Sequence, residues 1–312
     1  MSGPALQIVG LTRRFGALVA VHQVSFDVAA GEICGFIGPN GAGKTTTMRI
    51  AATLDLPDEG DVLIGGQSVL SEPRAARLAL GFMPDALEME AWTPVSEFLD
   101  FYARAYGLHG KLRRARMDDA IAFTGLGPLL DKECASLSKG NAQRLLLAKT
   151  LLHDPAVLLL DEPAAGLDPR ARVELRELVK ALATLGKAVL LSSHILTELA
   201  EMCHTVAILE QGRLMAKGPV SDIVATLSPA RGVFLRALCS PERLERFLIE
   251  QPHVIGVRPE RDGLVADLNG GDAEAAALLD ALVRSGLQPV VVAPASRGLE
   301  EVFLHLTEGR LQ

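Results

Sequence analysis

Up to about residue 228, short aliphatic runs alternate with stretches whose apolar residues recur at helical spacing. Residues 24–28 and 32–37 read as strands, and 45–52 as a helix. The runs 156–160 (AVLLL) and 188–192 (AVLLS) are apolar almost throughout, as strands covered on both faces must be. Residues 169–185 read as a helix with Pro169 at its first position and Gly186 just past its end. Strands alternating with helices predict a mostly parallel sheet with helices on its faces, an α/β fold. The stretch 95–123 breaks this rhythm and predicts an all-helical segment.

Near residues 228–232 (SPARG) the pattern changes. Strands are predicted at 233–238, 254–259, 263–268 and 288–292, and helices at 241–250, 273–285 and 298–306. This βαββαβα order predicts a small C-terminal α+β domain of the ferredoxin-like, split-βαβ kind over 229–312. Residues 1–228 then form the larger domain, with a helical subdomain at about 85–150. A chain of 312 residues is long enough for one large core and a second, smaller one.

Hydrophobic residues make up 49% and charged residues 22%, the balance of an ordinary globular chain. The net charge is −7 and no Lys/Arg stripe dominates any segment, so nucleic acid is not an expected partner. The opening MSGPALQIVGLTRRF has neither the charged n-region nor the long apolar core of a signal peptide. No apolar run approaches the roughly 20 residues that span a bilayer. Cys34, Cys134, Cys203 and Cys239 are scattered, with no CxxC spacing, and read as reduced thiols. A cytoplasmic protein is the expectation.

The strongest chemical signal is GPNGAGKTTT. Gly38, Pro39, Asn40, Gly41, Ala42, Gly43, Lys44 and Thr45 fit the phosphate-binding loop G-x-x-x-x-G-K-[ST], and Thr46 follows inside the helix. Glycines let the backbone turn its N–H groups inward, and the helix adds its positive end at the same point. A strand leads in and a helix leads out, which is the context the motif needs. Lys44 is expected to reach the β- and γ-phosphates and the Thr45 hydroxyl to hold Mg²⁺. Asp161 and Glu162 end the buried run LLLDE. On the same sheet as a phosphate loop, Asp161 is placed for the Mg²⁺ shell and Glu162 to deprotonate an attacking water. Adjacent carboxylates point to an NTP hydrolase.

About a hundred residues on, LSKGN precedes a helical run and offers a second anion grip: Ser138, the N–H groups around Gly140, and the dipole of a helix at 141–153. With these motifs in this order, residues 5–225 resemble the ATP-binding subunit of ABC transporters, a P-loop cassette with a mostly parallel sheet, an antiparallel β part and a helical subdomain. In that family the signature sequence, here LSKGN, closes over the ATP held by a second copy paired head to tail. The resemblance implies an ATPase, with ATP and Mg²⁺ bound between two copies of the chain. It assigns a D-loop to AAGLDP, with Asp168 near the paired sites, and a γ-phosphate contact to His194. It makes Phe15, in LTRRFG, the ring that stacks on adenine, with a core strand Phe as the other reading.

Two departures stand out. Asp85 occupies the position where the family usually has Gln; it carries charge on a shorter stem, and a role near the metal and in coupling is expected of it. Lys139 and Asn141 replace the first Gly and the Gln of the usual LSGGQ. Lys139 either attracts the γ-phosphate or faces solvent.

Seven of the aromatic residues, Phe82, Trp92, Phe98, Phe101, Tyr102, Tyr106 and Phe123, fall between residues 82 and 123. They read either as core or as a groove for a short helix of a membrane subunit. In the resembling family that helical insert and the loop at Asp85 form the docking surface, so a separate transmembrane permease is the implied partner. The chain would then sit peripherally on the inner face of the membrane. Lys111, Arg113, Arg114 and Arg116 read as a solvated helix face. The C-terminal segment, which ends GLEEVFLHLTEGRL, is similar to the extra domain of ATP-binding subunits in type-2 ABC exporters, including those for drugs, lipids and polysaccharides, which implies dimer contact, regulation or simple capping. The alternatives are a soluble ABC-type ATPase serving a macromolecular machine, and a scaffold that binds ATP without hydrolysing it.

Overall fold

The computed structural model describes residues 3–85, 92–193, 196–227 and 231–295. Two long strands open the chain: β1 (Leu6–Phe15) and β2 (Leu18–Val28), paired antiparallel across a two-residue turn. After β3 (Ile33–Ile37) and α1 (Lys44–Ala51) come β4 (Glu59–Ile64) and the short β5 (Gln67–Ser68). An antiparallel sheet results, in the order β2-β1-β4-β5. Its inward residues, among them Leu6, Ile8, Val24, Val62 and Ile64, share one core with Phe36 of β3 and Met48 and Ile50 of α1. Burial of that apolar area, at roughly 25 cal/mol per Å², is what fixes the phosphate loop between two sheets.

The chain continues through α2 (Pro73–Ala79), β6 (Leu80–Met83), α3 (Val95–Ala105), α4 (Gly110–Thr124) and α5 (Lys139–Leu151). It then alternates β7 (Val157–Leu160), α6 (Pro169–Thr184), β8 (Ala188–Ser192), α7 (Leu196–Met202), β9 (Thr205–Glu210) and β10 (Arg213–Pro219). The six-stranded sheet runs β10-β9-β3-β8-β7-β6 and is parallel except at the β10 edge. Every residue of β3, β7 and β8 is buried, which accounts for their unbroken apolar runs. The mostly parallel sheet and the helical insert expected from the sequence are both present.

In the helical part, Val95, Phe98, Leu99 and Ala103 of α3 pack against Leu145, Ala148 and Leu152, with Tyr102 and Tyr106 at the margin. The aromatic cluster therefore divides: Phe98 is core with Tyr102 and Tyr106 packed half-buried against it, while Trp92 (81%) and Phe101 (65%) are exposed. Of the basic residues on α4, Arg113 pairs with Asp100 at 3.1 Å and Arg116 with Asp154 at 3.0 Å. His153 ties this part to the sheet, its Nε2 lying 2.8 Å from the Leu80 carbonyl and its ring stacked 4.1 Å from Tyr106. Cys34 and Cys134 are buried free thiols, and burial pushes Cys34 up to about 12, which keeps it protonated.

The chain divides into two compact units, the first ending at Val220 and the second beginning at Ser221. Helix α8 (Val220–Leu227) spans the division. Beyond it lie β11 (Arg231–Ala237), α9 (Pro241–Ile249), β12 (Val254–Glu260), β13 (Gly263–Leu268), α10 (Asp272–Arg284) and β14 (Pro289–Ala295). Their sheet is antiparallel throughout, in the order β12-β13-β11-β14. Its core joins Val233, Leu235, Leu264, Ala266 and Leu268 to Leu244 and Leu248 of α9 and Leu278 and Leu282 of α10. This is the βαββαβ order with two parallel split pairs. The helix expected at 298–306 lies outside the described residues.

Candidate functional site

Three adjacent parallel strands, β3, β8 and β7, end side by side, and β6 ends beside β7. In open parallel sheets that carboxyl edge is where ligands bind. The loop 38–43 leaves β3 there and feeds α1. Gly43 adopts φ +98°, and a Cβ on it would lie 2.4 Å from the Ala20 carbonyl of β2. A Cβ on Gly38 would lie 2.6 Å from the Leu209 carbonyl. Both positions therefore demand glycine, one through its backbone angle and both through the close approach of a neighbouring strand.

Lys44 is only 8% exposed and folds back over the loop, its Nζ donating to the carbonyls of Gly38 at 2.6 Å and Pro39 at 3.1 Å. Burial lowers its pKa below the ordinary lysine value, and the charges of Glu162 and Asp161 oppose that shift. The ammonium thus sits in the field of both acids while gripping the cradle from inside, ready to exchange two carbonyl oxygens for anionic ones.

Asp161 follows the last residue of β7 and is 5% exposed. Burial raises its carboxyl above the ordinary value, hydrogen bonds from the Ser192 and Thr45 hydroxyls pull it down, and the charges of Asp85 and Glu162 push it up again. Thr45, Asp85, Asp161 and Glu162 therefore share one small region. Ser192 at the end of β8 donates to Asp161 Oδ1 at 2.6 Å and accepts the Glu162 N–H at 2.8 Å. Glu162 itself has φ +48°, uncommon for a residue with a side chain, and it is held there by that bond and by the Ala165 N–H on its carbonyl at 3.0 Å. Sequence reasoning assigned no role to Ser192; its signal was a polar residue ending an otherwise apolar buried strand. Gln143 of α5 went equally unremarked: it is buried, and its Nε2 donates to the Asp85 carbonyl at 3.4 Å.

Thr45 and Asp161 supply a hydroxyl and a carboxylate oxygen side by side, the hard oxygen donors Mg²⁺ takes when substrate phosphates and water complete its shell. Among the described residues no group of three His, Cys, Asp or Glu forms an all-protein metal cage.

The remaining predicted residues fall around this centre. Phe15 ends β1 and is 46% exposed, with the Arg13 guanidinium 4.7 Å from its ring centroid; the core-strand reading of Phe15 does not describe it. Helix α5 begins at Lys139, two residues earlier than expected, because Ser138 caps it: the Ser138 hydroxyl accepts the Asn141 N–H at 3.4 Å. Gly140 is packed against α6, where a Cβ would meet Ala171 at 3.0 Å. Lys139 lies over Gly166, so close that a Cβ on Gly166 would meet its ammonium at 2.2 Å. Asp168 caps α6 by accepting the Ala171 N–H at 3.0 Å. Ser138, Gly140 and Asp168 thus line up at the starts of two adjacent helices. His194 lies outside the described residues.

Comparison with known proteins identifies the family and the fold. The family profile described as ABC transporter matches residues 21–165, and an AAA-domain profile matches 133–200. The Nod factor export ATP-binding protein I of Ralstonia nicotianae is 35% identical over 223 residues, covering 72% of this chain and 70% of the relative. Its counterpart in Bradyrhizobium diazoefficiens is 37% identical over 224 residues, covering 72% and 73%. Among solved structures, an ATP-binding subunit of an ABC transporter superposes with a TM-score of 0.65 at 31% identity, covering 71% of this chain and 92% of that one. CbiO1 from Clostridium perfringens, part of the ABC transporter complex cbiONQ, gives 0.65 at 26% identity, covering 71% and 91%. With a phosphate loop, paired carboxylates and the P-loop ABC fold in one chain, this protein belongs to the ABC transporter ATP-binding proteins, an ATPase family that binds ATP.

Proposed function

We propose that the chain is the ATP-hydrolysing subunit of an ABC exporter, working as a head-to-tail pair of copies on a separate membrane permease. The observation that carries this reading is the convergence of Lys44, Asp161, Glu162 and Ser192 on one sheet edge. In the reading, the loop 38–43 and the start of α1 hold the ATP phosphates through backbone N–H groups, Thr46 and the Lys44 ammonium. Phe15 stacks on adenine. Thr45 and Asp161, with Asp85 near them, hold Mg²⁺, which when bound offsets charge on the β- and γ-phosphate oxygens. Glu162 takes the proton of the attacking water, and His194 contacts the γ-phosphate.

Ser138 and Gly140 of one copy then close over the nucleotide of the other, with Asp168 between the paired sites. The export direction rests on the relatives, which are named for Nod factor export. The permease rests on solved relatives that belong to transporter complexes, and on the finding that among the described residues no helix is long and apolar enough to cross a membrane. Exposed Trp92 and Phe101, near the loop that carries Asp85 in sequence, suit a docking surface for a permease helix. Such a subunit works on the inner face of the membrane. We assign the second unit, from Ser221, to contact between copies or regulation.

Glu162→Gln tests the reading. Steady-state ATP hydrolysis should fall by about 10²-fold or more, Mg-ATP binding should persist, and sedimentation should show an ATP-dependent dimer. Unchanged phosphate release, or a monomer at saturating Mg-ATP with and without the permease, refutes it.

A further inference from the structure

The guanidinium of Arg172, in the first turn of α6, joins two segments that the sequence keeps 31 residues apart, at Leu167 and Glu198. Its Nε donates to the Leu167 carbonyl at 2.9 Å, in the loop that descends from Glu162, and its Nη1 reaches Glu198 Oε1 of α7 at 3.2 Å. One turn further along α6, Arg176 pairs with Glu201, so two rungs link the helices. Both ends of the first rung are half-buried. Between the loop and α7 lies a cavity of about 160 Å³ lined by Pro163, Ala164, Val179 and Met202 and by both arginines. The polar link between the loop and α7 is this bridge through Arg172. Helix α7 starts two residues after His194, and the loop 163–168 starts directly after Glu162.

We propose that Arg172 is a positioning residue: it fixes the spacing between the loop that follows the candidate general base and the helix that follows His194, so that the two segments move as one. The proposal rests on the ATPase reading above for its kinetic consequence. Its structural consequence stands apart from that reading. Arg172 touches neither the phosphate loop nor Asp161, so nucleotide binding does not depend on it.

In the full-length protein, Arg172→Ala should lower kcat tenfold or more with KM for ATP within about twofold of wild type. Glu198→Gln should act in the same direction, and the double variant should be no slower than Arg172→Ala alone, as expected when two residues act through one contact. The exchanged pair R172E/E198R should recover part of the activity that R172E alone loses. Hydrogen–deuterium exchange supplies the readout independent of turnover: amides in 164–168 and in 196–202 should both exchange faster in Arg172→Ala. Where Arg172→Ala does not fold, Arg172→Lys and Glu198→Gln carry the same measurements. Additive losses in the double variant, a raised KM at unchanged kcat, or faster exchange in only one segment overturns the proposal. A wild-type protein that does not hydrolyse ATP overturns the ATPase reading instead, and the exchange data still decide this one.

Discussion

The Ser192 hydroxyl lies 2.6 Å from Asp161 Oδ1 and donates a hydrogen bond to that buried carboxylate, while its oxygen also accepts the backbone N–H of Glu162. One side chain on β8 thus sets the two consecutive acids that follow β7. Ser192→Ala removes a donor that favours the charged form of Asp161, so its carboxyl should rise further, and it orphans the Glu162 N–H. The cost in stability should be about 1–3 kcal/mol, read from the urea midpoint. The acid limb of kcat/KM should move to higher pH. An unchanged midpoint and an unchanged limb would remove Ser192 from this role.

Asp85 acts on the same carboxyl in the opposite sense, because its negative charge raises Asp161. Asp85→Asn should let Asp161 fall back toward the ordinary carboxylate value, and the acid limb should shift to lower pH. If Asp85 also belongs to the metal's surroundings, the Mg²⁺ concentration for half-maximal nucleotide binding should rise about tenfold. Opposite shifts in Ser192→Ala and Asp85→Asn would be hard to obtain from general loosening. Equal, same-direction shifts would sink the electrostatic account, and an Asp85→Ala protein with normal hydrolysis and normal partner coupling would remove Asp85 altogether.

Gly43→Ala tests the loop itself. The new methyl would meet the Ala20 carbonyl at 2.4 Å, and the residue would be forced to hold φ +98°. Backbone strain of this kind costs about 1–3 kcal/mol per residue, and relief by moving β2 would distort the cradle. Binding of a fluorescent ATP analogue should weaken by more than tenfold (about 1.4 kcal/mol per factor of ten) and the melting temperature should drop. Gly41, where an added Cβ would meet open space, should tolerate the same change in packing terms and suffer only from its φ of +81°.

How much of this was legible beforehand varies with the range of the interaction. The strand 156–160, the helix from Pro169 and the loop 38–45 were readable because local rules set them: continuous burial, proline at a helix start, glycines before a lysine. Ser192 was not, since its importance comes from β8 lying next to β7, a long-range pairing that no local pattern encodes. The same holds for Arg172, which looks like any charged helix residue until Leu167 and Glu198 are seen on either side of it. The start of α5 was misplaced because Gly140 is a weak helix former, and the Ser138 cap puts it and Lys139 inside the helix.

His153 offers a stability test outside the nucleotide site. Its Nε2 faces the Leu80 carbonyl, so it must carry the proton there, and its Nδ1 is buried without a hydrogen-bond partner. Burial lowers its pKa below the ordinary histidine value, helped by the positive charges of Lys149 and Lys187 and opposed by the carbonyl bond and Asp154. A base held neutral in the fold but free to charge when unfolded binds more protons in the unfolded state. Stability is therefore lost as pH falls below the ordinary value of about 6.5, and the loss levels off once the folded-state value is passed. Neighbouring Asp154 is lowered by Lys187 and Arg116 despite its desolvation, so its own contribution fades only further down, in the carboxylate range. His153→Gln keeps an N–H for the Leu80 carbonyl and removes the titration. Between pH 7 and pH 5 the melting temperature of wild type should fall by a few degrees more than that of the variant. Below the folded-state value of His153 the two curves should run parallel. Parallel curves throughout would mean that His153 charges freely in the folded protein and that its contact with Leu80 does not hold the helical part to β6.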